Sequence, residues 1–166
     1  MAYFIGIPLL ALLAILQSTM FPDFGFYDGR PDLVLLAVVG WALAGEGEQA
    51  IIWGFIGGIF LDLLSALPMG ASSIALIVVA YLVSLYARRI WEVNLIMPLG
   101  VTLIASLAFH SIMLLALLLL GRQVQLEYAY IRVILPSTFI NLLLALPVSQ
   151  ALAGLQRRLY PPEVEA

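Results

Sequence analysis

The chain has 166 residues, of which 64% are hydrophobic and 10% charged, with a formal net charge of −3 and no cysteine. Soluble domains carry about 45–50% apolar and about 25% charged residues. The excess apolar surface must therefore face lipid, which excludes a cytosolic enzyme, a nucleic-acid binder and a disordered chain, while the lack of cysteine excludes a disulfide scaffold and thiolate metal sites.

The first uncharged run predicts a helix over 3–20, long enough to approach the roughly 20 residues that cross a bilayer. No Arg or Lys precedes it and no small-residue cleavage site follows, so it does not read as a secretory signal. The Phe21–Asp32 stretch breaks it with Pro, Gly and Asp, and its four aromatics suit the headgroup level. The second run, Leu33–Gly45, reaches only about 20 Å at 1.5 Å per residue. On length alone it could be a re-entrant segment, but it is read as a spanning helix over 31–45, with Pro31 in the first turn and Asp32 at the positive end of the dipole.

Gly45-Glu46-Gly47-Glu48 makes a tight turn into a third helix over 49–66. Leu67-Pro68-Met69-Gly70 separates it from a fourth over 71–87. Arg88-Arg89-Ile90-Trp91-Glu92 connects to a fifth over 95–120. Gly121–Arg132 is read as a polar linker, followed by a sixth helix over 133–155 that contains Pro136 and Pro147 and stops at Tyr160-Pro161-Pro162. The expectation is one all-α integral membrane domain over 1–166, with six transmembrane helices. Six crossings place both termini on one side with Arg88, Arg89, Arg157 and Arg158, against Arg30, Arg122 and Arg132 on the other. The Arg pairs favour the cytoplasm, so the orientation read is N-in and C-in.

Few polar side chains fall inside these runs. Asp62 is the only charge between Gln49 and Ala87, and a mid-bilayer Asp costs roughly 2.5–3.5 kcal/mol on insertion scales. Gly54, Gly58, Asp62 and Ser65 share one helical face. A stripe of this kind either receives a partner or ion, or packs within the bundle with Asp62 capping a neighbouring helix. Helix 5 carries Thr102, Ser106 and His110 at four-residue steps, and helix 6 carries Ser137, Asn141, Ala145 and Ser149 likewise. Packing is the plainer reading of both, and a polar pathway with His110 and Asp62 relaying protons is the sharper one. Gln17 reads as a satisfied packing residue.

Catalytic signals are sparse. There is no His-Glu-x-x-His, no phosphate loop, and a single His with no Cys offers no metal cage. Gly70-Ala71-Ser72-Ser73 with His110 is the nearest approach to a nucleophile and base, and no oxyanion device accompanies it. The chain reads as non-enzymatic, with no cofactor and no metal.

Leu16-Gln17-Ser18-Thr19-Met20-Phe21-Pro22, Pro31-Asp32-Leu33-Val34-Leu35-Leu36 with Gly40-Trp41, and above all Gly54–Ser65 followed by Pro68-Met69-Gly70 resemble the rod shape-determining protein MreD family. Leu135-Pro136 with Asn141, Pro147 and Arg157-Arg158 is similar to that family's last helix and basic end. The resemblance implies a multi-pass protein of the bacterial inner (cytoplasmic) membrane. It implies a non-catalytic scaffold or regulator of cell elongation and lateral peptidoglycan synthesis that binds the single-span protein MreC. Beyond MreC it implies RodA and its penicillin-binding transpeptidase, with membrane lipid as surroundings, self-association as a further expectation and no nucleic acid. It also implies a bundle similar to the substrate-binding subunit of energy-coupling-factor transporters, which supplies the alternative reading: a vitamin-binding subunit of such a transporter. Lipid or precursor handling is a third reading, without a residue pattern of its own. Gly54, Gly58, Asp62, Ser65 and Asn141 are the expected partner-binding or helix-packing residues.

Overall fold

The computed structural model describes residues 2–19, 27–44, 47–65, 68–87 and 96–160. The Phe21–Phe26 aromatics, Gly45-Glu46, Leu67, the Arg88-Arg89 pair with Trp91 and Glu92, and the Pro161-Pro162 stop lie outside the described residues.

Within them the chain is an all-helical bundle of six helices: α1 (Ala2–Thr19), α2 (Leu33–Leu43), α3 (Gly47–Leu64), α4 (Ala71–Ala87), α5 (Ile96–Leu119) and α6 (Leu126–Leu159). Three of them, α3, α5 and α6, are long and apolar enough to cross a membrane; α2, α4 and the Ile5–Thr19 part of α1 are shorter apolar helices. Many outward side chains are large and apolar, among them Leu12, Phe55, Ile74, Ile104 and Phe139. A solvent of lipid leaves such residues no reason to turn inward.

The shortest helix lies deepest. Val34 to Ala42 of α2 are all buried, and α2 packs on α1, α3, α4, α5 and α6. Its 11 residues extend about 16 Å, well under a bilayer core of about 30 Å. The helix begins at Leu33, leaving Pro31 and Asp32 as buried non-helical residues. Near its other end Trp41 stacks on Trp53 of α3, with ring centroids 4.2 Å apart. Trp41 Nε1 donates to Gln49 Oε1 at 3.3 Å, and Gln49 Nε2 donates to Tyr160 Oη at 3.1 Å. This ties α2, α3 and the end of α6 together.

The sixth helix starts at Leu126 rather than near 133, so much of the expected linker is helical. Ala129–Ile134 is a π-helical stretch, in which the Leu135 N–H reaches the Tyr130 carbonyl five residues back. Pro136 follows and has no N–H to give the Arg132 carbonyl. The Asp28 N–H donates to that carbonyl instead, at 3.1 Å. A neighbouring segment thus repairs the gap a proline leaves, as membrane helices require. The true connection between α5 and α6 is short. Gly121 at φ +73 ends α5, with its N–H on the Leu118 carbonyl and the Arg122 N–H on the Leu117 carbonyl, a left-handed glycine cap.

Candidate functional site

The glycine face of α3 receives α4. These two helices make the most extensive pairing in the bundle. A Cβ on Gly58 would stand 2.5 Å from the Ser73 backbone nitrogen, and one on Gly54 3.0 Å from the Leu76 carbonyl oxygen. Near the far end of the pair, a Cβ on Gly47 would meet Ser84 Cβ at 2.8 Å, and Ser84 Oγ donates to the Gly47 carbonyl at 3.3 Å. These contacts follow one antiparallel register, with 58 beside 73, 54 beside 76 and 77, and 47 beside 84. Backbones come this close only where small side chains allow it. Gly57, on the neighbouring face, leaves room for Val34 of α2 and Leu10 of α1.

Asp62 completes this hairpin. It is 4% exposed. Its Oδ1 accepts the Ser72 N–H at 3.0 Å, and its Oδ2 accepts the Gly70 N–H at 2.8 Å and the Ser73 hydroxyl at 3.3 Å. The Ala71 N–H goes to the Pro68 carbonyl at 3.2 Å. The first turn of a helix has N–H groups without intrahelical partners, and lipid offers none. The carboxylate supplies them from another helix and sets an anion at the positive end of the α4 dipole. Ser65, the last member of the sequence stripe, is exposed at the bend after α3.

The second polar cluster joins α5, α6 and the segment before α2. Asn141 is fully buried. Its Oδ1 accepts the Asp32 N–H at 2.8 Å, while its Nδ2 donates to Asp32 Oδ2 at 2.7 Å and to Ser106 Oγ at 3.0 Å. Ser106 and Thr138 hydroxyls pair at 3.2 Å. His110 Nδ1 lies 2.8 Å from the Ser106 carbonyl, and its Nε2 lies 3.3 Å from Asp32 Oδ2. Nearby, the Arg30 N–H donates to Ser137 Oγ at 3.0 Å, and Gln17 Oε1 accepts the Val34 N–H of the first α2 turn at 3.3 Å.

The expected stripes of α5 and α6 therefore meet one another, through Ser106 and Asn141. Two expectations change. His110 meets Asp32 and not Asp62, whose oxygens α4 occupies. Asp32 makes no side-chain cap on its own helix and turns to Asn141 and His110 instead. Ser72 and Ser73 serve Asp62, so they form no dyad with His110. Asp32 is the member of this cluster that sequence reasoning placed in another role. Its signal was an acid at the edge of an unusually short apolar run.

The described residues contain no group of three or more His, Cys, Asp or Glu side chains able to hold a metal ion. No solved structure matches the chain. The family model for the rod shape-determining protein MreD matches residues 1–158, and the chain accordingly belongs to the rod shape-determining protein MreD family.

Proposed function

We propose that the chain is a non-catalytic membrane scaffold of the cell-elongation machinery, and that it binds MreC to control rod shape and lateral peptidoglycan synthesis. Family membership implies a part in rod shape determination. The observation that carries the finer reading is where the polar side chains go. Asp32, Asp62, Ser106, Thr138 and Asn141 are all spent on the chain's own helices. Large apolar side chains face outward from every helix but the buried α2, a surface suited to lipid and to another membrane helix. The same observation supports reading Gly54, Gly58, Asp62 and Asn141 as residues that build the bundle, with the partner helix resting on lipid-facing side chains. In this reading all six helices cross the bacterial cytoplasmic membrane, with both termini inside. RodA and its transpeptidase are reached through MreC, and no nucleic acid is involved.

Purification of the tagged chain from native membranes tests the proposal. Recovery of a single-span protein with a soluble coiled coil is the expected result. Recovery of an ATPase pair, without such a protein, would replace the scaffold with a transport subunit.

A further inference from the structure

His110 and Asp32 are the acid–base pair of the bundle interior, and their hydrogen positions follow from their neighbours. The Ser106 carbonyl can only accept, so His110 Nδ1, at 2.8 Å, carries a hydrogen. Nε2 then faces Asp32 Oδ2 at 3.3 Å. A bare ring nitrogen and a bare carboxylate oxygen present lone pairs to each other and repel. One proton must lie between them, as imidazolium with carboxylate or as imidazole with carboxylic acid.

Asp32 is also where segment 27–32 is fastened. Asn141 grips it by both its N–H and its carboxylate. Arg30 is held through Ser137 and Asp28 through the Arg132 carbonyl. Gly29 lies so close to α6 that a Cβ would meet Pro136 Cβ at 2.5 Å. Of these fastenings, the Asp32–His110 contact alone joins the segment to α5, and it does so through two side chains that can each carry or release a proton.

We propose that Asp32 and His110 hold one shared proton, and that this proton latches segment 27–32 onto α5, so that releasing it loosens this end of the bundle. The other ionisable groups here lie at the rim. Tyr128 donates to Asp28 Oδ2 at 2.6 Å, the Arg132 guanidinium stands 4.9 Å above the Tyr27 ring, and Arg30 is exposed. The described side chains of α1 and all of α2 include no ionisable group; α4 has only the exposed Tyr81 and Tyr86, and Asp62 is committed to α4. The latch is closed while the proton is bound and opens when it leaves.

His110 is the chain's single histidine, and the chain has no cysteine. One imidazole signal and one introduced thiol therefore report on this pair without background. The full chain carrying ring-15N histidine and a spin label at R30C, in phospholipid nanodiscs, is titrated from acid to alkaline pH. The expected result is a ring with Nδ1 protonated throughout and a single step in the Nε2 resonance as the proton shared with Asp32 leaves, with label mobility rising at the same step. In H110Q, whose amide donates at every pH, the mobility step is lost. In D32N the Nε2 resonance changes and the Nδ1 resonance stays. A neutral ring protonated at Nε2 with Nδ1 bare would overturn the proposal. So would a label whose mobility ignores the histidine step, or one that keeps its step in H110Q.

Discussion

Asp62 on α3 accepts the backbone N–H of Ser72 on α4 at 3.0 Å. That bond crosses the hairpin at the point where α4 begins and water is scarce. A single accepting oxygen does not suffice at this site. Both oxygens accept, and an amide offers one acceptor while turning an NH2 toward a second donor. We expect Asp62→Asn to lose about 1–3 kcal/mol, and Asp62→Leu to lose more. Thermal unfolding in detergent measures both. Equal stability of Asn and wild type would show that the second oxygen is idle.

Gly58 sets the distance between the same helices. A Cβ there meets Ser73 backbone, which cannot swing aside, whereas one on Gly54 meets the Leu76 carbonyl at 3.0 Å. Gly58→Ala is expected to destabilise by about 1–3 kcal/mol, Gly54→Ala by less, and Gly58→Leu to abolish folded yield. Ile59 is 36% exposed, so Ile59→Leu is expected to be silent. Yield and melting temperature of the four variants give the order.

Asn141→Leu removes both grips on Asp32 and the bond to Ser106 while keeping side-chain volume. Interhelical hydrogen bonds in membranes average about 0.6 kcal/mol, reaching about 1.7 kcal/mol, so the triple loss is expected at about 2 kcal/mol. Asn141→Asp sets a second carboxylate against Asp32 and is expected to be worse. Denaturant unfolding in mixed micelles compares them, and an Asp variant as stable as wild type would contradict the assigned contacts.

The six helices were legible because hydropathy over long runs needs no knowledge of neighbours. The start of α6 was not. Gly121 to Arg132 is polar enough to read as linker, yet it is helical from Leu126, where segment 27–32 lies along it and supplies the Asp28 N–H that Pro136 cannot. The polar stripes were legible as stripes, since a four-residue step is a property of one helix. Which stripes meet is a property of two. Asp32 pairs with Asn141 across 109 residues of sequence, and no spacing within either helix encodes that register.

The orientation of the bundle is tested by single cysteines in this cysteine-free chain. Asp28→Cys and Gln125→Cys are expected to react with an impermeant thiol reagent applied to the outside of intact cells, and Glu48→Cys, at an exposed position beside the buried Gly47, only after permeabilisation. The reverse pattern would place both termini outside.

Recognition of a partner helix within the bilayer is the core of the proposed function, and it is read most directly by truncating the partner. The measurement is capture of MreC fragments by the full chain in nanodiscs. The membrane helix of MreC with a short flank is expected to retain most of the binding of the whole protein. If that fragment fails while the soluble part of MreC alone binds tightly, recognition lies in the loops and the intramembrane account is wrong.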